Sequence, residues 1–457
     1  MLPAVTFCAL PLFKTISALA ACAPAGPYNG GANIVACAPG AGETFNTLGG
    51  NDTVTLDSGT VGTVTMGTGD DAYIQNGGAA TTVNQNDGHD TSTIGGGTLG
   101  TLNQGNGAGT FTLNAGTVTT VIQGNGADFA TMTGGTLGSI NQGAADDSLT
   151  MTGGSAGTVN QGAGHDSVAI SSGTITSLVQ GDDSDTLVLS GAGAITTVEQ
   201  GAANDTMTMS GGSVGTLLQN TGDDSLTMTG GSAGTVNQGA GLDSVTISAG
   251  TIASLLQESE NDALVLSGTG AITSVDQGNN DDAATISSGT LGSLVQGSGI
   301  DDLQLSGGSI TTIDQGGSND TMTMSGGTVT GSIQQGSGND SLIITAGTTG
   351  AIDQSSGVDY FSMIAGVTVA SLDQGANLDQ AFISGGQIIG LLNHVDYVEF
   401  TGGRIGAVDM VADNNQFYMS GTALIDSYLN AEGALTCLTW AAAQSGQAST
   451  AAAAMTP

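Results

Sequence analysis

The chain has 457 residues, 78 of them glycine, with 40 Asp and Glu against 2 Lys and Arg, for a formal net charge of −38. One basic residue beyond the first 21 cannot neutralise a phosphate backbone or draw the chain to anionic lipid, which excludes nucleic acid and an anionic membrane surface as partners. Aromatics at 4% are too few for an ordinary large core, yet 38% hydrophobic residues are too many for a disordered chain, so an architecture other than a compact globule must bury them.

Residues 1–21 are mostly apolar, with small residues at Ala18-Leu19-Ala20, and read as a signal peptide. The pattern is atypical, because no basic residue precedes the apolar run and Lys14 interrupts it. Leu19-Ala20-Ala21-Cys22 also matches a lipoprotein box, with Cys22 as the lipidated residue. The better reading is a Cys22–Cys37 bridge formed in an oxidising compartment, closing a Pro/Gly-rich loop within a cap segment, 22–43. Such a bridge stabilises by roughly 3 kcal/mol in the chain-entropy model.

From residue 44 to 430 the sequence repeats. Asp returns every 19 or 20 residues, at 52, 71, 90 and 128 and then from 147 to 379, with Gly109 filling the one gap in register. Five residues before these positions stands a glutamine: Gln85, Gln104, Gln123, Gln142, Gln161, Gln180, Gln200, Gln219, Gln238, Gln257, Gln277, Gln296, Gln315, Gln335, Gln354 and Gln374, with Asn393 expected in the next slot. The residues two and four after each Asp are mostly apolar, as in Leu226/Met228, which is the alternation of a half-buried strand. A Gly-rich corner and a second short strand follow, and no unit leaves room for a helix. A unit this short cannot bury its own apolar face, whereas stacked units can. The expected fold is therefore all-β: a single-chain, right-handed parallel β-solenoid, or β-helix, with about 19 residues and two strands per rung and roughly 20 rungs. The pattern fades after 430, and 431–457 reads as a disordered Ala/Ser/Thr tail.

The glutamines share the parity of the buried residues, so a structural ladder of stacked amides is expected. For the aspartates three arrangements are open: they accept backbone N–H groups in the turn, they splay into solvent, or a hard cation sits between turns. A Thr row three residues after the Asp is broken by Ala169, Val188, Val265, Gln304 and Ile343, which favours a solvated face over an ice-binding array. No catalytic constellation is apparent, since His89, His165 and His394 are too far apart in the repeat to act together and the turns are uniformly short. The reading is therefore of a protein that is not an enzyme.

Two resemblances refine this. Turns such as Gln161-Gly162-Ala163-Gly164-His165-Asp166 are similar to half of the repeat-in-toxin (RTX) calcium-binding repeat, GGxGxDxUx. That resemblance implies Ca²⁺ as a candidate ligand of Asp147, Asp166, Asp185, Asp205, Asp224, Asp243, Asp262, Asp282, Asp301, Asp320 and Asp340, in a structural module that folds on export. The departure is one such turn per unit, where that family has two. The order of parts (export signal, Cys22/Cys37 segment, Gly/Thr/Asn/Asp-rich solenoid) resembles a bacterial autotransporter passenger domain, without the family's C-terminal β-barrel. It implies a secreted or outer-membrane-displayed rod serving adhesion, whose partners are proteins or glycans on a host or neighbouring cell, with self-association through exposed end strands also open.

Overall fold

The computed structural model describes residues 22, 28–37, 42–409, 415–430 and 437–441. The chain is an all-β parallel solenoid of about 20 turns, roughly 19 residues apart, with no helix among the described residues. It divides into two units, Met1–Ile140 and Asn141–Pro457. The segment 1–21 and its signal lie outside the described residues.

In the first unit, one turn comprises strand Thr53–Leu56, a corner, and strand Thr60–Thr65. Each strand pairs in parallel with its copy 19 residues on: Val54 faces Tyr73 and Val61 faces Ala80. Alternation sends Val54 and Leu56 inward. The second strand buries Val61 and Val64, with Gly62 and Thr63 outward between them. Strand Ile34–Cys37 pairs with Thr53–Leu56, so residues assigned to a separate cap already belong to the stack. Cys37 is disulfide-bonded to Cys22, and both are buried.

In the second unit, the turns from Ser148–Ala163 to Ser244–Leu256 keep strand pairing through the corner, so each reads as one strand of 13 to 16 residues. From Ala263–Leu266 onward the two strands separate again. The turns approach most closely after the glutamines. At Gly201 φ is +114°, and an added Cβ would lie 1.3 Å from the carbonyl oxygen of Gly181 one turn earlier. No other residue fits there without moving the backbone.

Near its end the period loosens. Tyr397 follows its partner Gln380 by 17 residues, and a register shift pairs Asn393 with Asp373. The slot after Gln374 therefore falls to His394, which takes a left-handed φ of 51°, and not to Asn393 as the spacing suggests. Cys437–Ala441, within the stretch assigned to a tail, is a strand paired in parallel with Gln416–Ser420. The sequence Cys-Leu-Thr-Trp carries enough β-forming residues for one more pairing. The rest of 431–457 lies outside the described residues.

Candidate functional site: two polar columns inside the stack

Both recurrent polar residues point inward. The glutamines are at most 1% exposed, because each stands two residues after the last inward apolar residue of the second strand, as Gln219 after Leu217, and continues its inward parity. In the second unit, from Gln161 on, each carboxamide donates from Nε2 to Oε1 of the glutamine one turn earlier: Gln161 to Gln142 at 3.3 Å, Gln219 to Gln200 at 3.0 Å, and so on to Gln374 and Gln354 at 2.9 Å. In the first unit Gln104 donates to Gln85 and Gln123 to Gln104. In several turns the second Nε2 proton reaches a backbone carbonyl six residues on, as from Gln161 to Ser167 and Gln238 to Ser244, both at 3.3 Å.

The first unit also holds an inward polar group that the repeat does not announce. Tyr73 donates to Gln75 Oε1 at 2.8 Å, and Ser92 donates to Gln85 Oε1 at 2.7 Å. Tyr73 and Gln75 occupy positions that are apolar in most units. The only sequence signal was that departure.

The aspartates are at most 2% exposed. From Asp166 to Asp379 each Oδ1 accepts the backbone N–H of the aspartate one turn earlier. In the second unit the chain runs from Asp147 N to Asp166 (2.7 Å), through Asp205 N to Asp224 (2.7 Å), to Asp359 N to Asp379 (2.9 Å). It ends where Asp379 N meets Oδ2 of Asp396 at 3.1 Å. In the first unit Asp52, Asp71 and Asp90 continue the pattern, and Asp128 caps Gly109 at 2.6 Å. The other oxygen, Oδ2, is buried without a hydrogen-bond partner at Asp52, Asp71 and Asp90, and at each repeat aspartate from Asp166 to Asp379.

Burial pushes these carboxyls up, to about 8 at Asp205 and Asp262, about 7 at Asp185 and Asp224, and about 6 at Asp166 and Asp243. The single N–H pulls the other way, and neighbouring carboxylates add to the rise. Two unit charges one turn apart would repel by roughly 3 kcal/mol at an effective dielectric of 20.

One residue earlier runs a second, exposed row with the opposite direction of bonding. His165 N donates to Asp146 Oδ1, Asp223 N to Asn204 Oδ1 and Ile300 N to Asp281 Oδ1, at 2.8–2.9 Å. His165 Nδ1 lies 3.1 Å from the Ser184 carbonyl, and His394 Nδ1 lies 2.8 Å from Asp373 Oδ1. An open groove of about 360 Å³ crosses the second-strand faces and is lined by Thr251, Thr273, Thr290 and Thr311 with Gly292, without a titratable side chain.

Calcium takes six to eight oxygens. At Asp224 the carbonyl already accepts Ser244 N and Gln238 Nε2, and Oδ1 accepts Asp205 N. From Asp166 to Asp379 the buried column thus presents one uncommitted carboxyl oxygen per turn. Among the described residues no group of three or more His, Cys, Asp or Glu is placed to hold a metal ion. As folded, the residues from Asp166 to Asp340 do not make the ligand set that calcium requires.

No protein-family model and no curated protein matches the chain. Among solved structures, it is similar to a hyperactive, Ca²⁺-dependent, β-helical antifreeze protein from an Antarctic bacterium, at 22% identity and a TM-score of 0.38, over 62% of this chain and 81% of that one.

Proposed function

We propose that this chain is an exported, acidic, non-enzymatic repeat protein, displayed on or released from a bacterial cell in the manner of an autotransporter passenger, and that it serves contact with a host or neighbouring cell. One observation carries the reading. The polar side chains that recur in every turn face inward and hold the stack, while the outward positions vary from turn to turn and assemble no reacting set. Such a division suits a scaffold whose outer face is free to diversify. On the exposed turn row, Leu242, Ile300, Val358 and Leu378 are 47–71% exposed, a set of apolar points suited to contact with another surface. The Cys22–Cys37 disulfide supports an oxidising compartment.

Cell fractionation with thiol trapping tests this. The expected result is protein at the surface or in the medium with Cys22 and Cys37 oxidised, and binding of the purified chain to intact host or neighbouring cells. Cytoplasmic protein with free thiols overturns the reading. Folding that occurs only with millimolar Ca²⁺ replaces it with that of a calcium-loaded repeat module.

A further inference from the structure

We infer that protons, not metal ions, hold the buried aspartate column from Asp166 to Asp379: in the folded chain these side chains are neutral carboxylic acids under conditions that ionise a solvated aspartate. The geometry leads there in three steps. Each side chain is sealed from water, with Asp205, Asp224 and Asp243 at 1% exposure. Each receives a single N–H on Oδ1, fewer than the two or three that hold a carboxyl far below its usual range. From Asp166 to Asp379 each Oδ2 has no hydrogen-bond partner, which is tolerable for a hydroxyl and far worse for an anion.

No lysine or arginine offsets this, and His165, on the exposed row, pulls down Asp166 and Asp185 without cancelling their rise. The chain has no Lys or Arg between Lys14 and Arg404. The ionisable groups around this stretch are Asp185 before it, Asp262 after it and Asp223 on the exposed row, all acids. From across the turn the neutral Gln238 reaches Asp224 at its backbone carbonyl and not at its carboxyl. The remaining way to remove the charge is to take a proton from water onto Oδ2.

Folding would then bind about one proton per turn in this unit, and the folded chain would be less negative than its formal −38. The sign of the linkage follows. The folded carboxyls, at about 6 to 8, lie above the unfolded value of about 4. Their contribution is fully present below about pH 4 and is lost as pH rises through about 6 to 8.

The test uses the full chain. Infrared spectra are recorded for folded and urea-unfolded protein near pH 5.5, and melting temperature is followed from about pH 5 to about pH 8.5, in chelator and in millimolar Ca²⁺. The expected results are a protonated-carboxyl stretch in the folded protein that vanishes on unfolding, and a melting temperature that falls as pH rises, alike with and without Ca²⁺. In the triple variant Asp205→Asn, Asp224→Asn, Asp243→Asn, which keeps the Oδ1 acceptors, the band should shrink and the pH slope flatten. If the triple variant does not fold, Asp224→Asn alone is read for the same two changes. Absence of the band in the folded protein overturns the inference. So does a melting temperature that rises with pH, or one that depends on Ca²⁺.

Discussion

Gln219 and Asp224 stand five residues apart in one turn, both are buried, and each has its own kind one turn before and after it. Gln219 donates to Gln200 and accepts from Gln238, so the amide closes on itself with a donor for every acceptor. Asp224 accepts from the backbone of Asp205 and meets its neighbouring side chains only as like charges. An amide carries both halves of a hydrogen bond, and an ionised carboxylate carries one. Stacking identical residues therefore solves the problem of burial for glutamine and creates one for aspartate.

The most disruptive way to break both columns is to push two turns apart. Gly201→Ala places a methyl group where the Gly181 carbonyl stands, at a left-handed φ. The expected destabilisation is about 4 kcal/mol or more, read by urea denaturation with the slope compared to wild type. Next is Gln219→Ala, which leaves Gln238 Nε2 without one acceptor and Gln200 Oε1 without its donor. Two unsatisfied buried groups predict a loss of about 2–6 kcal/mol that does not vary with pH, because no titrating group has been removed.

Asp224→Asn separates the columns more sharply. The variant keeps the acceptor for Asp205 N and removes a buried acid pushed up to about 7. Below about pH 4 both forms are neutral, and the variant should be no more stable than wild type, since its second amide proton has no acceptor. Above about pH 7 the wild type must hold a charge or a costly proton, and the variant should be the more stable. Melting curves that cross between these limits confirm the assignment, and parallel curves refute it.

The period alone carries most of the fold. Inward alternation is visible in pairs such as Leu226/Met228, and a shift of one residue would turn both outward, so the register is strongly fixed. The position of the columns was equally legible, but the direction of the aspartate side chain was not. The same Gln-Gly-x-x-x-Asp turn is compatible with a carboxylate aimed at solvent, at a cation or inward. Only the placement of Asp205 N one turn before Asp224 decides among them. The end of the glutamine column was misplaced for a related reason. One extra residue between Val369 and Leu372 and their partners Ile388 and Leu392 moves Asn393 beside Asp373 and leaves Gln374 Oε1 without a partner. A spacing rule cannot register a bulge that keeps the hydrophobic pattern on both sides.

The smallest effect belongs to the exposed row, and it isolates burial as the cause. Asn204 Oδ1 accepts Asp223 N at 2.9 Å, nearly the bond that Asp224 makes to Asp205 N, but with the donor one turn later and the site open to water. In Asn204→Ala, water replaces the lost acceptor, so the cost should stay below about 1 kcal/mol by denaturation. Asp224→Ala strands Asp205 N in the interior and should cost about 1–3 kcal/mol where the wild-type acid is protonated. As pH rises that difference should shrink, because the alanine variant no longer holds an acid in the stack, while the Asn204→Ala difference should stay flat. Two turns' worth of the same backbone contact, one wet and one dry, would then differ in magnitude and in pH response. Equal losses at both positions would mean that the inner column is as well solvated as the outer row, and the contrast between amide and acid would lose its physical basis.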